Sequence, residues 1–455
     1  MATFHIENFG CRATQADAAA IEQQLQGGGF VRADSVERAD VVIVNTCTVT
    51  ASADAQARQA IRAIHSACPS ARIMATGCYA QRAPEELAAL EGVRWVVGNS
   101  HQSLIPLLLG SAPDSSFVPL AQIDVEPMSL SRGPAKILTG NILEQTEVLV
   151  APVEAGDGHT RPILKIQDGC NSRCSYCVIP SVRGRSRSLE PRRVLEEVRR
   201  LSAAGHREIV LSGINLGSYG RDLTPRVELG SLLRLILEET AIERLRLSSI
   251  EPMDVTQDLL DLFERSERLA RHFHIPLQSG SDRILAAMRR WYRSEHYAQR
   301  VELIRERLPD AGIGADVIAG FPGETEEDHT ATMALIEGLP LTYLHVFSFS
   351  KRPGTAAAAL NDEVAPATIK RRSHELRALG ARKQAAFLEA QAGRTMHVLT
   401  LRRCGTDDCG PWTGAIASNY LNVHVEGSWS ANQMLGVQTT HAKETYLAGY
   451  TCAPV

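Results

Sequence analysis

At 455 residues the chain is long enough for about three domains, each burying its own core. A hydrophobic content of 44% with 22% charged residues describes a globular protein; no apolar run reaches membrane-spanning length and the first residues lack a signal peptide's basic and apolar regions, so no spanning helix is expected and the cytoplasm is the expected address. A net charge of -4 is no footprint of nucleic acid, so such a partner must meet local basic surfaces, and ten Cys in a reducing compartment are ligands or free thiols before disulfides.

Residues 2–100 alternate short apolar strands (3–7, 40–45, 72–76, 93–97) with helical stretches (15–26, 51–67, 84–90). Alternation of this kind predicts an α/β domain over 1–110 with an open parallel sheet covered on both faces. A cysteine follows each of the first three strands: Cys11, Cys47 and Cys78. Loops at the carboxyl ends of parallel strands converge on one crevice, where three thiols would hold a cluster with one iron left open. The competing reading is three small buried hydrophobes. Cys68, before Pro69, is read as packing.

Residues 111–160 mix Pro, Ser and Gly with weak periodicity and read as a linker, with a few strand residues at 148–150. Over 161–365 the strand and helix pattern repeats six times, with strands at 163–167, 208–212, 244–248, 272–276, 314–318 and 342–347. Six units fall short of eight, so a partial (β/α)6 barrel is expected, with its chemistry at the carboxyl ends of the strands. The first strand runs into Cys170, Cys174 and Cys177 at C-x3-C-x2-C spacing. Three such thiols reach three corners of an iron-sulfur cube and leave the fourth iron open; a zinc knuckle or unrelated thiols remain the alternatives. At the other strand ends stand Gly213 and Asn215, Ser249 and Glu251, Gln278 and Ser279, and Asp316, candidates for ligand contacts or for turn and cap work. Arg183 and Arg185, after the cysteine loop, suit a carboxylate or a phosphate, and for Arg187 and the arginines beyond it a solvated basic face is an equal alternative.

Residues 366–392 form a connecting helix carrying Lys370, Arg371, Arg372, Arg377, Arg382 and Lys383, either a phosphate track or a solvated face. Over 393–455 four short strands (395–401, 412–417, 421–425, 435–441) predict a small antiparallel β-barrel. Trp412, Tyr420 and Arg394 would then face RNA or, for the two aromatics, the core. Cys404, Cys409 and Cys452 receive no role.

The C-x3-C-x2-C run with Tyr176 before its last Cys resembles the radical S-adenosylmethionine (SAM) signature. That resemblance implies a 4Fe-4S cluster on Cys170, Cys174 and Cys177 whose open iron takes the amino and carboxylate groups of SAM. Reduction would then release a 5′-deoxyadenosyl radical. It also makes Tyr176, Arg183, Gly213, Asn215, Glu251, Gln278 and Asp316 the expected SAM contacts. Members often carry an acidic residue after the second strand, where this chain has Asn215.

Phe9-Gly10-Cys11, Asn45-Thr46-Cys47-Thr48-Val49-Thr50 and Thr76-Gly77-Cys78-Tyr79-Ala80-Gln81 ahead of such a core resemble the methylthiotransferases. This implies a second 4Fe-4S cluster on Cys11, Cys47 and Cys78, associated with sulfur delivery. The run from Trp412 to Val425 resembles a TRAM domain, an OB-like RNA-binding module. The cysteine runs are most similar to the MtaB-type branch, which methylthiolates C2 of N6-threonylcarbamoyladenosine beside the anticodon of tRNA. Other branches act on isopentenyladenosine in tRNA or on an aspartate of a ribosomal protein, and stand as alternatives. The expected partners are a tRNA anticodon stem-loop, an external electron donor and a sulfur source, for a monomer in which all six cysteines are catalytic and SAM is both radical source and methyl donor.

Overall fold

The computed structural model describes residues 2–110, 135–150, 160–407 and 410–452, which form two compact units. The first joins the N-terminal region to Asp168–Arg187 and Ser350–Thr355; the second holds the remaining central and C-terminal residues.

In the first unit, β1 (Thr3–Asn8), β2 (Val31–Arg32), β3 (Val41–Thr46), β4 (Arg72–Gly77), β5 (Val93–Gly98) and β6 (Lys136–Leu138) build a parallel sheet in the order β2-β1-β3-β4-β5-β6. The central strand β3 is buried throughout, as an unbroken Val-Val-Ile-Val run requires of a strand covered on both faces. Val42 and Val44 face a core shared with Ile61 and Ile64 of α2 (Ala51–Ala67), while Val41 and Ile43 face Ile21 and Leu25 of α1 (Arg12–Gly27). The period-2 alternation of a strand thus feeds two separate cores, each fully buried aliphatic contributing about 1.5–3 kcal/mol. Helices α3 (Cys78–Arg82), α4 (Pro84–Ala88) and α5 (Ile105–Gly110) complete the layer. Strand β6 lies within the stretch read as a linker: three residues of Lys-Ile-Leu are too short to show a period, and their pairing with Trp95–Val97 makes them a strand. Residues 148–150 are not a strand.

In the central region β7 (Ile163–Asp168), β9 (Glu208–Gly213), β10 (Arg244–Leu247), β11 (His272–His274), β12 (Gly312–Ala319) and β13 (Tyr343–Ser348) are the six expected strands, with the two-residue β8 (Arg187–Ser188) added beside β7. Their neighbours pair in parallel, and the bridge Ser249–His274 carries the curve from β10 to β11. Between them run α6 (Ile179–Arg183), α7 (Pro191–Ala203), α8 (Leu229–Glu239), α9 (Gln257–Arg265), α10 (Asp282–Ala287), α11 (Ser294–Arg307) and α12 (Glu326–Gly338). Gly314 is where Tyr343 crosses the sheet, since a Cβ there would meet the Tyr343 ring at 2.0 Å.

The 26-residue helix α13 (Pro366–Gln391) leads to a closed barrel of β14 (Thr395–Asp407), β15 (Gly410–Ala417), β16 (Asn422–Glu426), β17 (Met434–Ala442) and β18 (Leu447–Thr451). The fifth strand, β18, went unread, and its pairing with β16 is parallel, so the barrel is not wholly antiparallel. Cys409 lies outside the described residues.

Candidate functional site

The carboxyl ends of β1, β3 and β4 each lead into a cysteine. Cys11 is the N-cap residue of α1, Cys47 follows β3, and Cys78 opens α3. Gly10 and Gly77 make these turns at positive φ, 121° and 96°, where L side chains are strained. A Cβ on Gly10 would meet Cys47 Cβ at 2.5 Å and its Sγ at 3.1 Å, and one on Gly77 would meet Thr46 O at 2.4 Å. The glycines therefore let these loops approach one another. The three thiols feel each other's charge: burial pushes Cys47 up to about 12, with Cys78 and Cys11 adding to the rise, and burial likewise raises Cys78. Thiols this hard to ionise become thiolates when a metal binds. Around them the side-chain atoms Asn45 Oδ1, Asn99 Oδ1 and Arg183 Nε are buried without hydrogen-bond partners, and Asn99 Nδ2 lies 3.5 Å from Cys78 Sγ. Three thiols ringed by unsatisfied polar atoms fit a bound inorganic cluster better than an apolar core.

The second trio sits on an irregular loop directly after β7. Gly169, at φ 71°, has no room for a side chain because Arg185 O lies 2.0 Å from its Cβ position. Cys177 N donates to Cys174 O at 3.1 Å, closing the turn that holds Ser175 and the half-buried Tyr176, and Ser172 N lies 3.4 Å from Cys170 Sγ. All three cysteines are partly exposed. A donor set of three accessible thiols on one loop fits a cluster with an open iron. This loop belongs to the first unit: Val178 and Val182 pack on Cys78, and Asn99 Nδ2 donates to Val182 O at 2.7 Å.

Arg183 was expected at a cofactor or RNA phosphate, but its guanidinium is 2% exposed and committed to two carboxylates, Asp17 at 2.7 Å and Asp168 at 3.1 Å. Arg187, for which a solvated face was one of two equal readings, is also buried, donating to Glu147 O, Arg183 O and Arg185 O. Arg185 alone of the three stays exposed. Asp54 is a further buried carboxylate near Cys47 that the sequence reading passed over. It accepts from Thr48 at 2.6 Å, Arg82 at 3.0 Å and Arg352 at 2.6 Å. The available signal for Asp17 and Asp54 was an acidic residue on the helix that follows each cysteine loop, indistinguishable in sequence from a solvated one.

In the second unit the strand-end candidates fall on neighbouring strands. Gly213 stands over Gln167, whose Oε1 accepts Asn215 N at 2.8 Å. Glu251 pairs with Arg290, and burial raises its carboxyl despite that partner. Gln278 takes φ 67° and its backbone N donates to Asp316 O at 2.8 Å. Burial opposes ionisation of Asp316, yet hydrogen bonds from His274 (2.9 Å) and His345 (3.4 Å) outweigh it and hold the carboxyl well below the usual range. His274 Nδ1 and His272 Nε2 both meet Tyr343 Oη, at 3.0 and 2.8 Å. His274, Asp316 and His345 have metal-ligand spacing, but these hydrogen bonds already account for it. A cavity of about 720 Å³ lined by Arg244, Arg268, Arg271 and Arg394 opens at the amino ends of the strands, the wrong end for barrel chemistry. Tyr420 is half-buried rather than an open RNA platform. It stacks on His272 at 4.3 Å beneath Arg161 and Arg246, whereas Trp412 stacks on His424 and His424 on Tyr446, each at 3.6 Å.

The sequence matches the Radical SAM superfamily over residues 164–336 and the Uncharacterized protein family UPF0004 over 3–98. It is 35% identical over 431 residues to the threonylcarbamoyladenosine tRNA methylthiotransferase MtaB of Aquifex aeolicus, covering 95% of this chain and 98% of that one. The Bacillus subtilis protein of the same name is 37% identical, covering 83% and 80%. A tRNA-2-methylthio-N(6)-dimethylallyladenosine synthase from Thermobifida fusca is 34% identical over 89% of this chain and 79% of its own. Among solved structures, the radical SAM methyltransferase TsrM of Kitasatospora setae, with cobalamin and a [4Fe-4S] cluster bound, superposes with a TM-score of 0.59 at 18% identity, over 78% of this chain and 77% of that one. That likeness concerns the fold.

Proposed function

The chain belongs to the radical SAM methylthiotransferase family, and from that premise we propose that it methylthiolates C2 of N6-threonylcarbamoyladenosine beside the anticodon of tRNA. The observation that carries this reading is the end-to-end match with the Aquifex relative, 98% of whose length this chain covers. The dimethylallyladenosine synthases, matched at slightly lower identity (34% for the Thermobifida protein), supply the alternative substrate.

Cys170, Cys174 and Cys177 would hold the family's 4Fe-4S cluster with SAM, and Cys11, Cys47 and Cys78 a second one. When bound, these groups supply a 5′-deoxyadenosyl radical for the C2 hydrogen, the sulfur, and the methyl group. The chain's own residues bind and orient. Gly213 offers bare backbone to the amine end of SAM. Asp316, kept ionised by His274 and His345, accepts from a hydroxyl or amine, and Arg290 holds Glu251 in place for the same work. Asn215, Gln278 and Tyr176 complete the proposed contacts. The adenine, splayed from a single-stranded anticodon loop as RNA readers require, is the substrate. The C-terminal barrel would hold the tRNA through the Trp412, His424 and Tyr446 stack as a TRAM module. An external electron donor and a sulfur source complete the turnover of a cytoplasmic monomer.

Mass spectrometry of nucleosides from tRNA of a strain lacking the gene tests the substrate. Loss of methylthiolated threonylcarbamoyladenosine is expected, and loss of the isopentenyl product instead would hand the reading to the alternative. With purified protein, Cys174→Ala should abolish 5′-deoxyadenosine formation, whereas Cys47→Ala should spare it and stop methylthiolation.

A further inference from the structure

Arg183 closes α6 and carries a buried charge that the reaction described above does not use. Its Nη2 donates to Asp17, six residues beyond Cys11, and its Nη1 to Asp168, two residues before Cys170. One guanidinium therefore ties the roots of both cysteine loops. Its Nε is buried with no acceptor, and such an orphan is unfavourable unless something else satisfies it. Its buried charge is paired with the carboxylates of Asp17 at 2.7 Å and Asp168 at 3.1 Å. Asn99 Nδ2 reaches Cys78 Sγ beside it.

We propose that Arg183, anchored by Asp17 and Asp168, is a positioning residue for the cluster on Cys11, Cys47 and Cys78, setting its reduction potential by charge. This rests on the assignment of that cluster made above. A fixed positive charge favours the reduced, more negative cluster and raises its potential, and a carboxylate lowers it; net charge and hydrogen bonds to sulfur are the protein's main means of tuning such a centre. Asp17 and Arg183 therefore act with opposite sign on one observable, which a merely structural ion pair does not do.

The test is an EPR-monitored redox titration of the full-length, anaerobically reconstituted protein carrying Cys170→Ala, Cys174→Ala and Cys177→Ala, so that one cluster remains. Arg183→Gln should lower the midpoint and Asp17→Asn should raise it, each by at least tenfold in the reduction equilibrium, about 59 mV for a one-electron couple. Arg183→Lys, which keeps the charge, should stay near the parent, and the charge-compensated Asp17→Asn/Arg183→Gln double variant should return toward it. Unchanged midpoints, or shifts of one sign in both single variants, overturn the proposal while the cluster assignment stands. A parent that loads no iron and shows no EPR signal rejects the assignment itself.

Discussion

Asp54 shows how a single buried carboxylate can hold a cysteine loop in place. It serves Thr48, Arg82 and Arg352 at once, and both arginines are nearly buried. Removing one partner of a buried pair strands the others, at a cost of about 3–5 kcal/mol. Asp54→Ala should therefore lower the unfolding free energy of the first unit, measured by urea denaturation, by that amount, and a loss below about 1 kcal/mol would show the cluster of charges to be self-sufficient. Glu208 does the same in the second unit, where it is fully buried among Arg161, Arg244 and Arg246. Burial pulls its pKa up, but the three arginines bring it from 4.5 down to about 2. A depressed carboxyl stabilises the fold fully above the unfolded value and loses that contribution as pH falls through the folded one. About 3 kcal/mol should thus disappear between pH 4.5 and 2. Urea unfolding at stepped pH should show the gap between the wild type and Glu208→Gln closing over that window; a gap independent of pH would contradict the assignment.

At the scale of elements, some helices begin where a side chain caps its own first turn, a signal the sequence analysis did not use. Thr325 accepts from Asp328 N and the Asp328 carboxylate accepts Thr325 N, a capping box opening α12. Thr325→Ala should cost about 1 kcal/mol in unfolding free energy, and no change would mean the first turn is held by packing alone. Helix α13 was the opposite case, because its cations read equally as a phosphate track. Four of them pair within the chain: Arg371 and Arg372 bind Glu326, Arg372 also Glu324, Arg382 binds Glu337, and Lys383 donates to Glu337 O and Leu339 O. Neutralising Arg371 and Arg382 to Gln should leave the salt dependence of tRNA binding unchanged, whereas a slope reduced by about one per residue would mark them as phosphate contacts.

Over the whole molecule, the small barrel is part of the second unit's core. Arg244 donates to His397 O and Ile416 O, Arg246 to Ala417 O and Ser418 O, and Asn419 O sits where a Cβ on Gly312 would fall. Deleting residues 393–455 would remove four backbone acceptors from these buried guanidinium groups, leaving Glu208 as their partner, and uncover His272, so the truncated protein should lose thermal stability as well as tRNA affinity. A truncation that melts like the full chain would reduce the barrel to an independent appendage. Composition, the strand and helix alternation, and the placement of six cysteines were enough to read the parallel sheet and the partial barrel and to single out the thiols proposed as cluster ligands, because periodicity and thiol spacing are local properties of the chain. What only the tertiary structure decided was the partners of the charges. Arg183 finds Asp17 at a separation of 166 residues and Arg352 finds Asp54 at 298, and burial, which turns a surface cation into a fixed internal charge, exists only once distant segments have packed together.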